Sequence, residues 1–257
     1  MRLSAIIITR NEILNIADCL RALAFADEII VLDNGSTDRT QDVARRLGAQ
    51  VHETEDWPGF GMQKNRALAL AKGEWVLSID ADERVTPELR AEILRAISSD
   101  SADAFSFPRM SSYCGQYMRH SGWYPDVIVR LIRRGSARFS DDLVHERLMV
   151  NGPVEKLSSP LLHISYRTFE SVLDKVNRYS SAGALGMQND MKSTSLGSAI
   201  GHGVWAFFRT YVLRHGFLDG QLGLALAISN AETSYYRYAK RWLMLREQSA
   251  KHDSFSE

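Results

Sequence analysis

The chain has 257 residues, enough for one ordinary domain with or without an appendage and enough to bury a sizeable core. At 45% hydrophobic and 24% charged residues its composition is globular, which excludes disordered and collagen-like chains. Lys+Arg and Asp+Glu both number 31, so no molecule-wide field draws nucleic acid, and two cysteines, Cys19 and Cys114, exclude a disulfide framework and a multi-cysteine zinc site.

The first hundred residues alternate strand and helix. Leu3–Ile8 and Glu28–Leu32 are short, β-branched apolar runs of the kind buried parallel strands need, and between them Ile13, Ile16, Ala17, Leu20 and Leu23 fall at helical spacing. A second helix is expected from Thr37 or Asp38, with Gln41 placed for a capping box, to Gly48. Ala49–Glu53 reads as a strand, Met62–Ala71 as a helix ended by Gly73, and Glu74–Asp80 as the fourth strand. Thr86 and Pro87 open a helix to about Ile97, and Phe105–Pro108 is a fifth strand. This alternation predicts an α/β sheet, mostly parallel. Residues 109–163 hold short apolar runs (Val127–Ile132, Leu143–Val150, Leu161–Ile164) broken by Gly, Pro and Ser, which predicts a mixed or antiparallel extension with working loops. From Thr168 onward the pattern is helical. The apolar run at the amino end is too short for a signal peptide, and no stretch of about 18 uncharged apolar residues could span a bilayer, so a cytoplasmic location is expected.

In an open parallel sheet, ligands bind beyond the carboxyl ends of the strands. Thr9-Arg10-Asn11-Glu12 follows the first strand, where a dinucleotide-binding protein would carry G-x-G-x-x-G; a nicotinamide or flavin enzyme is thereby disfavoured. Asp33 to Asp38 follows the second strand and would also serve as a turn and helix cap. Asp80-Ala81-Asp82-Glu83 follows the fourth. Two carboxylates two residues apart repel each other unless a cation or a positive partner sits there, and hard divalent cations that also hold phosphate oxygens suit such a pair.

Taken together, Ile6 to Glu12, Val31 to Asp38, Gln63-Lys64-Asn65-Arg66-Ala67-Leu68 and Leu77 to Glu83 resemble the family 2 glycosyltransferases with the GT-A fold, in order, spacing and placement. The resemblance implies a Rossmann-like, mostly parallel sheet with helices on both faces and a helical C-terminal appendage: a catalytic domain over 1–165 (nucleotide-sugar half 1–108, acceptor half 109–165) and a helical region over 166–257. It further implies that Thr9, Asn11 and Glu12 line the nucleotide pocket of a UDP-sugar donor and that Asp33 hydrogen-bonds the uracil or ribose. Lys64 would contact base and phosphate, and Asp80 the ribose or metal-bound water. Asp82 would ligate a divalent cation, Mg2+ or Mn2+. Asp33-Asn34 stands where the family usually has two acids.

In the second half, Ser121 to Asp126, Arg130-Leu131, Val144-His145-Glu146, Leu162 to Tyr166, Lys175, Tyr179, Phe217 to Gly220 and Tyr238-Ala239-Lys240 are similar to the lipopolysaccharide-core glucosyltransferases. An inverting enzyme of this fold needs a carboxylate to take the acceptor hydroxyl's proton. Glu146 fits by position and type, with Asp126, Asp141 and Asp142 as competitors; His145-Glu146 is no metalloprotease motif, because position 149 is Met. His163 is the candidate histidine for the metal or diphosphate. Trp123 and Tyr124, in a Gly/Pro loop beside Asp126, either stack on an acceptor sugar or pack as core aromatics. Leu196–Glu247 carries six basic against three acidic residues among many aromatics, so it either packs on the catalytic domain or lies on an anionic membrane, the inner face of the cytoplasmic membrane. The expected activity is metal-dependent, inverting transfer of a hexose, glucose foremost, from a UDP-sugar to a lipid-linked saccharide such as the lipopolysaccharide core. Other acceptors and a sugar-nucleotide pyrophosphorylase are the alternatives, the latter lacking its Gly-rich loop after the first strand.

Overall fold

The structure, a computed structural model, describes residues 1–99, 101–140, 147–187 and 194–254, with side chains to 248. The chain forms two compact units, Met1–Met110 with Pro125–His163, and Ser111–Tyr124 with Ile164–Glu257.

In the first unit, β1 (Leu3–Thr9) pairs in parallel with β2 (Glu28–Asp33) and, on its other side, with β4 (Trp75–Ser78), while β2 pairs in parallel with β3 (Gln50–Glu53). Helices α1 (Ile16–Ala22), α2 (Thr40–Arg46) and α3 (Phe60–Leu70) connect these strands. A three-residue strand, β5 (Glu83–Val85), and helix α4 (Pro87–Ser99) follow. Beyond β4 the sheet turns antiparallel: β8 (Asp126–Arg133) lies between β4 and β6 (Ala104–Tyr113). β12 (Leu161–Tyr166) runs antiparallel to β5, with His163 opposite Glu83. The strands β9 (Ala137–Phe139) and β10 (Leu148–Val150) form a separate hairpin, and β11 (Val154–Lys156) adds to β6. The predicted α/β class and the antiparallel extension are both present.

Alternation along β1 explains why helices cover both faces, since successive strand side chains point oppositely. Leu3, Ala5 and Ile7 join one core with Ile16, Cys19 and Leu20 of α1, Ala44 of α2 and Leu89 and Ile93 of α4. Ile6 joins the other with Ile30, Leu32, Val76 and Ala67 of α3. Each such Leu or Ile is worth about 1.5–3 kcal/mol when fully buried, so the two faces hold the strand ends in place. Thr86 caps α4 as expected, its hydroxyl accepting from Leu89 N at 3.1 Å. Gln41 does not form the expected capping box; α2 starts at Thr40, and the Gln41 amide instead donates to Asp33.

The second unit opens with a tight hairpin between the end of β6 and β7 (Gln116–Tyr117), turning at Cys114 and Gly115, both in the left-handed region. Three helices follow: α5 (Phe169–Gly186), α6 (Leu196–Phe208) and the 35-residue α7 (Gly220–Ser254). Between the last two lie a π turn, Arg209–Leu213, and a short 3-10 helix, Gly216–Asp219. Its core is built from Tyr113, Met118, Val172, Val176 and Leu226. Among the described residues, no helix is long and apolar enough to cross a membrane.

Candidate functional site

Thr9 and Asp33, the last residues of β1 and β2, stand opposite each other in register, and the Thr9 hydroxyl donates to Asp33 Oδ2 at 2.7 Å. Asp33 is fully buried. It also accepts from Ser36 N (2.8 Å), Ser36 Oγ (2.6 Å) and Gln41 Nε2 (2.7 Å), so its carboxylate organises the loop from 33 to 41. Asn34 is used similarly, its amide donating to the carbonyls of Thr54 and Asp56. Asn11 sits exposed in the left-handed region, where its side-chain oxygen accepts from Thr37 N at 2.8 Å. Asp38 accepts from Thr40 and from Ile13 N; burial would raise its carboxyl, but these bonds outweigh it and hold it low.

The end of β4 carries a network of opposite charges. Asp80 meets Lys64 Nζ of α3 at 3.1 Å through one oxygen and Arg130 Nη2 of β8 at 2.5 Å through the other. Burial would raise Asp80, but the two cations overcome it and hold it well below the usual carboxylate range. Glu83, fully buried, accepts from Arg130 (3.0 Å), Arg109 (3.3 Å) and Asp80 N (2.9 Å). Burial nevertheless raises its carboxyl, helped by the charge on Asp80. Arg109 in turn clamps Asp126, Nη2 to Oδ2 at 2.6 Å. The positive partners that an aspartate pair at this point requires are thus supplied to Asp80 by the chain itself.

Asp82 is treated differently. Its hydrogen-bond partner is the His163 ring, Oδ2 to Nε2 at 3.2 Å, and both side chains are partly open to solvent. Glu12 is raised by burial and, in part, by the charges of Asp82, Asp38 and Asp80. Among the described residues there is no cluster of three or more His, Cys, Asp or Glu arranged to hold a metal alone. The donor set does fit a divalent ion that takes two protein ligands, Asp82 and His163, and fills its remaining positions with phosphate oxygens and water, as hard cations in phosphate sites do. Asp80 does not fit as a third ligand while Lys64 and Arg130 hold both its oxygens.

The structure therefore brings Thr9, Asn11, Glu12 and Asp33 to one end of the parallel strands, as it does Lys64, Asp80, Asp82 and His163. Asp126 joins them through Arg109. Trp123 and Tyr124 belong to the second unit, where Trp123 stacks on Tyr166 (centroids 5.7 Å apart) and meets Tyr113 edge-on. Glu146, with Asp141 and Asp142, lies outside the described residues. The flanking chain is fixed: Phe139 exchanges two bonds with the Asn65 side chain, Lys64 sits 5.6 Å above its ring, and Ser140 N donates to Arg147 O. Sequence reasoning assigned no role to Arg130, Arg109 or Glu83. An arginine inside the apolar run Val127–Ile132 was the available signal for the first.

The family model described as Glycosyl transferase family 2 matches residues 4–145, more than half of the chain. The chain belongs to glycosyl transferase family 2. This glycosyltransferase is 30% identical to an uncharacterised glycosyltransferase of Rickettsia prowazekii over 96% of its own length and 89% of the relative's. It is also 30% identical to the lipopolysaccharide core biosynthesis glycosyltransferase LpsC of Rhizobium meliloti, covering 92% of this chain and 93% of that one. Among solved structures, S. aureus TarS (residues 1–349, in complex with UDP-GlcNAc) superposes with a TM-score of 0.51 at 16% identity, covering 96% of this chain and 92% of that 1–349 chain, which establishes the shared fold. Family membership removes the pyrophosphorylase alternative.

Proposed function

We propose that this glycosyltransferase moves a hexose, glucose foremost, from a UDP-sugar to a saccharide carried on a lipid, as in assembly of the lipopolysaccharide core, and that it inverts the anomeric centre. One observation carries the reading: at the carboxyl ends of the parallel strands Asp33, Asp38, Asp80 and Glu83 are each held by several donors, while Asp82 faces His163 and solvent. The likeness to LpsC over nearly the whole chain supports the acceptor class.

In this reading Thr9, Asn11 and Glu12 border the nucleoside and the Asp33 loop shapes its pocket, and Lys64 contributes positive charge near the phosphates. Asp80, neutralised by its two cations, positions Lys64 and Arg130 beside the diphosphate. Asp82 and His163 would hold a divalent cation, which when bound offsets charge on the diphosphate. Glu146 takes the proton from the acceptor hydroxyl as its oxygen bonds to the anomeric carbon. The bond from that carbon to the β-phosphate oxygen breaks, and UDP carries away the electron pair. Asp126, tied to Arg109, would orient the acceptor, and Trp123 and Tyr124 are proposed to line it.

Melting curves with a panel of nucleotide sugars and Mn2+ test the donor. Binding to the native state alone raises the transition by mass action, by about 2.7 kcal/mol at a hundred times Kd, so UDP-glucose should give the largest upward shift. NMR of the product should show the anomeric configuration opposite to the donor's. A larger shift with a guanosine- or cytidine-linked sugar, or a retained configuration, would overturn this assignment.

A further inference from the structure

We infer that α6 and the turn after it form a face that docks on an anionic membrane. The inference concerns the second unit alone and does not depend on the transfer reaction.

Helix α6 contains no Asp, Glu, Lys or Arg, and it is built inside out for a helix in water. Its buried positions are small: Ala199, Gly203 and Ala206. Gly203 packs so closely on α7 that an added Cβ would lie 3.1 Å from Tyr235 Cβ and 3.3 Å from Ala231 O. The large residues point outward: Leu196, Ile200, Val204, Trp205 and Phe208 are 41–64% exposed. A soluble surface helix turns its large apolar residues to the core and its polar ones to solvent. The exposed apolar character continues past the helix at Val212, Leu213 and Leu218.

Charge identifies the occupant. From residue 194 to 218 the chain carries Arg209 and Arg214, both exposed, and neither Asp nor Glu. The next acid, Asp219, is buried and already accepts from the backbone of Arg119 and His120 and from the Ser121 hydroxyl. An apolar, aromatic face bordered by exposed arginines complements a negatively charged lipid surface. Between two copies of this stretch the arginines would meet no acid, since residues 194–218 hold none. At 13 residues α6 is about 20 Å long, short of the hydrocarbon thickness, so it would lie in the interface rather than cross it.

The test is co-sedimentation of the full chain with phosphatidylcholine vesicles, with and without about a third phosphatidylglycerol, at low and high salt. The expected result is binding to the anionic vesicles, release by salt, and little binding to neutral ones. Val204→Glu, at an exposed position, should weaken binding at least about tenfold with an unchanged circular dichroism spectrum and Tm. The pair Arg209→Gln and Arg214→Gln should weaken it about tenfold. No binding to anionic vesicles at low salt, or binding by Val204→Glu equal to wild type, would overturn the proposal. So would a dimer in light scattering that Val204→Glu disperses, which would assign the face to a second copy.

Discussion

The parallel strands bury carboxylates at both ends, and the two ends use them in opposite ways. At the amino end Glu28 is 3% exposed and accepts from the Ser4 hydroxyl (2.7 Å), Lys72 N (3.0 Å) and the Gln50 amide (3.3 Å), while Gly73 N donates back to Ser4 Oγ (2.8 Å). One acid meets neutral hydrogen-bond donors, with the charge of Lys72 adding to them. At the carboxyl end burial raises the Glu12 carboxyl, and the charges of Asp82, Asp38 and Asp80 add to it. Lys64 and Arg130 answer Asp80, and Asp82 keeps an open face toward solvent and His163. The carboxylate at the amino end holds strands together, whereas those at the carboxyl end are gathered around Lys64, Arg130 and a partly exposed Asp82.

If that contrast is right, damage at the amino end should cost stability and leave chemistry alone. Gly73→Ala places a Cβ 2.6 Å from Ser4 N and 2.7 Å from Ser4 Oγ, both parts of a rigid knot. Overpacking of this kind costs about 1–3 kcal/mol, so Tm should fall by about 2–10 °C for a chain of this length. Transfer measured well below the transition should keep its wild-type kcat. Loss of kcat without loss of Tm would break the comparison.

A smaller effect distinguishes this knot by pH. Burial would raise Glu28, but the bonds from Ser4, Lys72 and Gln50 outweigh it and leave its carboxyl below the ordinary value. A carboxyl depressed in the folded state contributes stability that is present above its unfolded pKa and drains away as pH falls through the folded value. Between about pH 5 and about pH 3 the wild-type Tm should therefore fall more steeply than that of Glu28→Gln. Parallel curves would show that the knot does not favour the charged form.

The elements of the first unit were legible because buried parallel strands need β-branched apolar runs, and Leu3–Thr9, Glu28–Asp33 and Trp75–Ser78 are such runs with polar residues at their carboxyl ends. Which polar residues would meet was less legible. His163 reaches Asp82 only because the three-residue strand β5 pairs with β12, a contact between segments some eighty residues apart that no local pattern encodes. Arg130 reaches Asp80 because β8 inserts antiparallel beside β4, again a long-range pairing. Gln41 forms no capping box because α2 starts at Thr40, which makes Gln41 only the second residue of the helix, and its amide is free to donate to the buried carboxylate of Asp33. In the second unit α6 showed its apolar character in the sequence, but which side it buries depended on the close approach of Gly203 to α7.

The central claim is that the open carboxylate, Asp82, with His163, serves transfer from a nucleotide sugar. The direct measurement is turnover of UDP-glucose onto a lipid-linked core saccharide, followed as released UDP and glycosylated product, for wild type, Asp82→Asn and His163→Ala, with divalent ion and with chelator. Loss of charge stabilisation worth several kcal/mol predicts a fall of about a hundredfold or more for Asp82→Asn and a smaller fall for His163→Ala, at unchanged Tm, with wild type silenced by chelator. Full transfer by Asp82→Asn, or by wild type in chelator, would contradict the account.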